Sequence, residues 1–256
     1  MRLVRTNLLL AGALACAPSQ EAVHVQIPVS IDGSTITDST NDEGWTVTLS
    51  AARIAVADLQ FTILGEMHGA SAWLDGWLIR RAWAHPGHAA GGDVTGELVG
   101  EFVLDWFGAD GVTLGPADVL TGDYNGLNFS FRVAGPEDGL MADDPLLGHS
   151  AYFGGVARKG DAEVVFTAAL DYDVGTQMIG APFELTIAAD TQTMIALQLE
   201  PTDPVEAKSM FDGLAFDALD EDSDGVVTIV PDSEAANLLR RAVYSHAHYL
   251  AAAQGG

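Results

Sequence analysis

Residues 23–31 alternate apolar and polar side chains without a break. Val23, Val25, Ile27, Val29 and Ile31 stand between His24, Gln26, Pro28 and Ser30. A β-strand sends successive side chains to opposite faces, so this pattern predicts one buried face and one wet face. The pattern recurs. Trp45, Val47 and Leu49 alternate, and Ile54, Val56, Leu59, Phe61 and Ile63 continue it through a bend at Asp58. Further strands are predicted over Glu101–Trp106, Leu127–Val133, Ala151–Ala157, Ala162–Tyr172, Phe183–Ala188, Thr193–Leu199 and Val226–Val230. Turn-forming clusters such as Gly108-Ala109-Asp110-Gly111 and Gly135-Pro136-Glu137-Asp138-Gly139 separate them. Short strands punctuated in this way predict an all-β domain, an antiparallel β-sandwich or a barrel-like fold. Pro28 has no N–H to give, which predicts that the first strand lies at a sheet edge.

Two stretches break the two-residue period. Trp73, Leu74, Trp77 and Leu78 are spaced for a short helix or an irregular insertion. Near the end, Leu238, Leu239, Ala242, Val243, His246, Tyr249 and Leu250 form one stripe, which predicts a C-terminal α-helix over 233–253 capped by Asp232 or Ser233. On that stripe His246 is expected in the core and His248 in solvent. No internal repeat or strong linker is evident, so residues 23–256 are expected to form one domain.

The first residues read as an export signal. Arg2 and Arg5 precede the apolar run Leu8–Leu14, which ends in small residues at Cys16 and is too short to span a bilayer comfortably. Ala13-Leu14-Ala15-Cys16 resembles a bacterial lipobox, with Ala13 where Leu is usual. That resemblance implies a signal peptide over 1–15, acylation of Cys16 and a tether over 16–22. Ala17, rather than Asp, follows the cysteine, which points to the outer membrane. Cys16 is the only cysteine, so a processed chain would have no disulfide and would rely on its core or on metal ions. The net charge is −25, and loss of Arg2 and Arg5 takes it to −27. Such a field repels nucleic acid and anionic lipid and attracts cations. No second apolar run approaches a spanning length, so the membrane would be met only through the lipid on Cys16.

Among the seven histidines, His85-Pro86-Gly87-His88 is the sharpest arrangement. Pro86 fixes one backbone angle and Gly87 permits a tight turn. The turn either aims two imidazoles at one ion or uses them to bond backbone. Imidazole suits copper and zinc. A third ligand would be His149, before a predicted strand, or His68, with Glu66 and Met67 beside it. Trp83-Ala84-His85 with the distant His149 resembles the site of secreted bacterial copper proteins of the MbnP and MopE type. That resemblance implies His85 and His149 as copper ligands and Trp83 as a residue open to oxidation to kynurenine. His88 has no place in it.

Asp220-Glu221-Asp222-Ser223-Asp224-Gly225 resembles a calcium loop of the EF-hand type. Acidic groups alternate, Gly225 stands sixth and the apolar Val227 eighth. The twelfth position is Pro231 rather than Glu, with Asp232 after it, so any affinity should be weak. An acidic turn without an ion fits the same spacing.

Templates for catalysis fail. Gly148-His149-Ser150-Ala151-Tyr152 lacks the last glycine of a nucleophile elbow, and no His-Glu-x-x-His, phosphate loop or dinucleotide fingerprint is present. The leading expectation is an exported, lipid-anchored metal-binding protein that is not an enzyme. The alternatives are a zinc hydrolase with Glu97 or Glu66 as general base, and an adhesion or structural module stiffened by calcium.

Overall fold

The computed structural model describes residues 22–63, 93–108 and 111–255. Twelve strands join one sheet among these residues. They are β1 (His24–Asp32), β2 (Ser39–Thr40), β3 (Thr46–Ile63), β4 (Asp93–Asp105), β5 (Thr113–Leu120), β6 (Gly122–Phe131), β7 (Ala151–Lys159), β8 (Ala162–Leu170), β9 (Gln177–Ile187), β10 (Thr193–Leu199), β11 (Val226–Ile229) and β12 (Tyr249–Gly255). The all-β, barrel-like expectation holds. The sheet is mixed, however: β1–β10, β8–β11 and β9–β12 pair in parallel.

The long strand β3 organises the molecule. One of its edges pairs with β7 through Thr46–Ile54 and then with β6 through Val56–Thr62. The change of partner accompanies an irregularity at Ala57–Leu59, where Asp58 adopts φ 50°. The predicted bend is therefore real. From β3 the ladder runs through β4, β5, β1, β10, β12, β9 and β6 and returns to β3. This closed ring removes free edges, except where its seams are thin. β12 meets β9 at Ala251↔Phe183, and β4 meets β5 at Gly96–Glu97. Strands β7, β8 and β11 extend from the first half of β3 as a side sheet. Gly155 lets β7 lie close on β3, because a Cβ there would fall 2.3 Å from the Thr48 carbonyl oxygen.

One core fills the ring and runs under the side sheet. Phe61, Phe129, Phe131, Phe153, Phe166, Phe183, Phe211 and Phe216 are fully buried in it with Trp45. A smaller cluster of Ala55, Ala134 and Leu146 lies beneath the 134–149 loop. That loop is held by two arginines. Arg132 forms a bidentate pair with Asp138 and donates to the carbonyls of Val56 and Phe102. Arg53 meets Asp144 at 2.8 and 3.0 Å.

Three expectations need correction. First, β1 is not an edge strand, since β5 and β10 flank it. Pro28 faces Pro116 across the β5 ladder and precedes Val29, where the β10 ladder begins, so its missing N–H interrupts neither. Second, the C-terminal helix is shorter than 233–253. There are two α-helices among the described residues, α1 (Phe216–Leu219) and α2 (Glu234–Val243). The Ser233 hydroxyl caps α2, and Leu239 and Val243 are buried as the stripe requires. Past Val243 the chain makes one 3₁₀ turn, then Tyr249–Gly255 pairs with β10 along its whole length. The tertiary ladder overrides the helical pattern there. Third, His248 is buried and His246 only half-buried.

Candidate metal centre

Asp220 terminates α1, and β11 begins at Val226. Both flanks are fixed by packing. Phe216 lies against Trp45 at 5.6 Å and Phe166 at 5.2 Å between ring centroids. Val227 and Ile229 are buried on the other side. The Gly225 carbonyl accepts the Val165 N–H of β8 at 2.8 Å. The six residues between helix and strand must therefore turn back sharply. Ser223 (φ 58°) and Gly225 (φ 78°) supply the left-handed backbone that this turn requires.

The loop's own carboxylates organise it. Asp220 accepts the N–H of Asp224 through Oδ1 and of Gly225 through Oδ2, each at 3.1 Å. Asp224 Oδ1 accepts the Val226 N–H at 2.8 Å. One carboxylate oxygen from each of Asp220, Asp222 and Asp224 lies within 4.8 Å of the others. Asp220 is half-buried, while Asp222 and Asp224 are exposed. None of the three has a lysine or arginine ion-pair partner among the described residues. The donor set is all hard oxygen, which suits calcium or magnesium and not copper. An oxygen that accepts one N–H keeps a second lone pair for a cation.

The imidazole arrangement is only partly in view. His68, Trp83, His85, His88 and Glu66 lie outside the described residues, as does Cys16. Residues 64–92 connect β3 to β4, where Ile63 and Asp93 are register partners. His149 is described: its carbonyl accepts the Ala134 N–H beside the Ile54 end of the β3–β7 ladder. Its Nδ1 bonds Asp171 Oδ1 at 2.8 Å. A carboxylate on one nitrogen orients the ring, an arrangement that would leave Nε2 for a metal.

Glu97 is exposed on β4, opposite Asp118. Asp118 accepts a 2.6 Å bond from His24 Nδ1. Sequence reasoning placed His24 only on a polar face, and nothing local in the sequence signals its partner 94 residues away. Ser150 is buried, with its hydroxyl accepting the Tyr172 N–H, so it is built into the backbone and not displayed as a nucleophile. Comparison of the chain with protein-family profiles, curated proteins and solved structures finds no match.

Proposed function

We propose that this chain is an exported, lipid-anchored β-protein that binds metal ions, with Asp220, Asp222 and Asp224 as the site of a hard divalent cation. The observation that carries this reading is the convergence of three carboxylate oxygens within 4.8 Å in a loop fixed at both ends by core residues. Calcium fits best by ligand chemistry. Without a bidentate glutamate at Pro231, its dissociation constant should fall near the ~10⁻⁴–10⁻³ M of extracellular modules. Such a site suits an environment where calcium is abundant, consistent with export through the lipobox-like leader and anchoring through an acylated Cys16 at the outer membrane or cell surface.

A second, softer site belongs to the same reading. His85 and His88, with His149 or His68, would take copper or zinc, and Trp83 would be the modifiable neighbour. Support for it comes from the Pro-Gly turn in the sequence and from the Asp171 bond that orients His149. Calorimetric titration tests both sites. Calcium should bind the intact chain and not the Asp222→Ala/Asp224→Ala double variant. Copper or zinc binding should fall in His85→Ala and His88→Ala and persist in His24→Ala. Equal calcium heats in the double variant would refute the acidic site. Unchanged copper and zinc heats in both histidine variants would refute the imidazole site.

A further inference from the structure

We propose that one end of the strand ring faces the lipid bilayer and that the Asp220–Asp224 loop is displayed at the opposite end. This rests on the reading of Cys16 as a lipid anchor. The described chain enters β1 at one end of the ring and is fastened there. Val23 N–H donates to the Thr121 hydroxyl at 3.1 Å, and the Thr121 N–H donates to the Val23 carbonyl at 2.8 Å. Six residues separate Cys16 from Val23, and the seven Cα–Cα steps can reach at most about 25 Å. The membrane must therefore lie close to this end.

Register fixes what else is there. His24 pairs with Leu120, Val119 with Gly96, and Gly96 with Phe61, near the Ile63 end of β3. The acidic loop belongs to the other extremity. Val226 pairs with Val165, Val165 with Val156, and Val156 with Thr48, near the Thr46 end of β3. From Thr48 to Phe61 is thirteen residues of strand, a contour of up to ~43 Å.

Charge favours standing over lying. The processed chain carries a net −27, and an anionic headgroup layer repels acids that come within about a Debye length of ~8–10 Å. Standing on the Val23 end brings acids such as Glu97, Asp118, Asp123 and Asp190 near the lipid. Lying flat would add the acids of a whole wall and of the distal loop. The acyl chains supply the attachment, and the protein surface stands off from the headgroups.

The test uses the full acylated protein in vesicles of phosphatidylcholine and phosphatidylglycerol. Acylation consumes Cys16, so an introduced cysteine takes a fluorophore alone. His24→Cys marks the near end, with Asp123→Cys as a second variant should the first misfold. Glu221→Cys and Asp161→Cys mark the far end. Energy transfer to a headgroup-labelled lipid should be several-fold stronger from the near pair than from the far pair. Equal transfer from all positions, or stronger transfer from the far pair, would overturn the orientation while leaving the anchor intact. Protein that floats free of the vesicles and carries no acyl chain by mass spectrometry would overturn the anchor reading and the orientation with it.

Discussion

Carboxylates play opposite parts in two regions of this molecule. In the 134–149 loop, the two carboxylates shielded from solvent are each matched by a guanidinium. Asp138 pairs with Arg132, and Asp144 with Arg53. At the end of α1, three aspartates share one small volume with no arginine or lysine ion pair to them among the described residues. The first arrangement is complete within the chain. The second leaves three carboxylates with no such pair, and the proposed cation would neutralise them. A chain with 36 acids and 11 lysines and arginines cannot neutralise every acid, so where it places its few guanidiniums is informative.

The comparison breaks most forcefully at Arg132. Its side chain is 11 % exposed and that of Asp138 is 6 %. The bond to Arg132 holds the Asp138 carboxyl below its usual pKa. Removing one partner of a buried pair leaves the other uncompensated, at a cost of about 3–5 kcal/mol. Arg132→Ala should therefore lower Tm by roughly 6–20 °C at this chain length. Calorimetric unfolding checks this, and a shift under ~2 °C would mean that the loop is not pinned by the pair.

The acidic loop should respond to calcium instead. With a dissociation constant of ~1 mM, 10 mM calcium stabilises the folded chain by about 1.4 kcal/mol, or ~3–6 °C in Tm. Asp222→Ala/Asp224→Ala should abolish this shift, and Arg132→Ala should leave it intact. A response of equal size in the double variant would place the calcium effect elsewhere.

Legibility in the sequence divides along the same line. The loop was readable because its carboxylates are neighbours: Asp220, Asp222 and Asp224 occupy alternate positions and Gly225 follows directly. Most strands were readable because alternation is local. Two strands hid. Gly115-Pro116 breaks the pattern of β5, and Ala251-Ala252-Ala253 gives β12 no contrast between its faces. The ring was not readable. Its closure depends on β3 changing partner at the Asp58 bend, and on β1 pairing with β10, with some 166 residues between Val29 and Ile195. Nor were the arginine pairs, because hydropathy alone places Arg132 at the surface.

His248 offers a finer test of burial against charge. Burial holds its imidazole pKa below the ordinary 6.5. Opposing that are its bond to the Glu200 carbonyl and the fields of Asp203 and Asp212, while His246 adds to the lowering. The folded chain thus binds this proton less readily than the unfolded chain. The stability contribution is complete above pH 6.5 and is lost as pH falls below it toward the folded value. His248→Gln should flatten the dependence of Tm on pH below 6.5 relative to the native chain. The effect should be smaller than that of calcium, because the hydrogen bond to Glu200 survives protonation. An unchanged slope in the variant would assign the dependence to the carboxylates.

The smallest effect should come from an ion pair that resembles Arg132–Asp138 in charge alone. Arg158 Nε meets Glu163 at 2.8 Å across β7 and β8, with side chains 52 % and 56 % exposed. Water already solvates both groups, and ordering two long side chains offsets most of the attraction, so exposed pairs contribute ~0.2–1 kcal/mol. Arg158→Ala should lower Tm by no more than about 4 °C, and added salt should erase much of the difference. Salt should do little for Arg132→Ala, whose pair is shielded from the solvent. If the two variants lost equal stability, or responded equally to salt, burial would not be what separates the matched carboxylates from the exposed ones. The acidic loop would then be one more solvated surface, with no special claim on a cation.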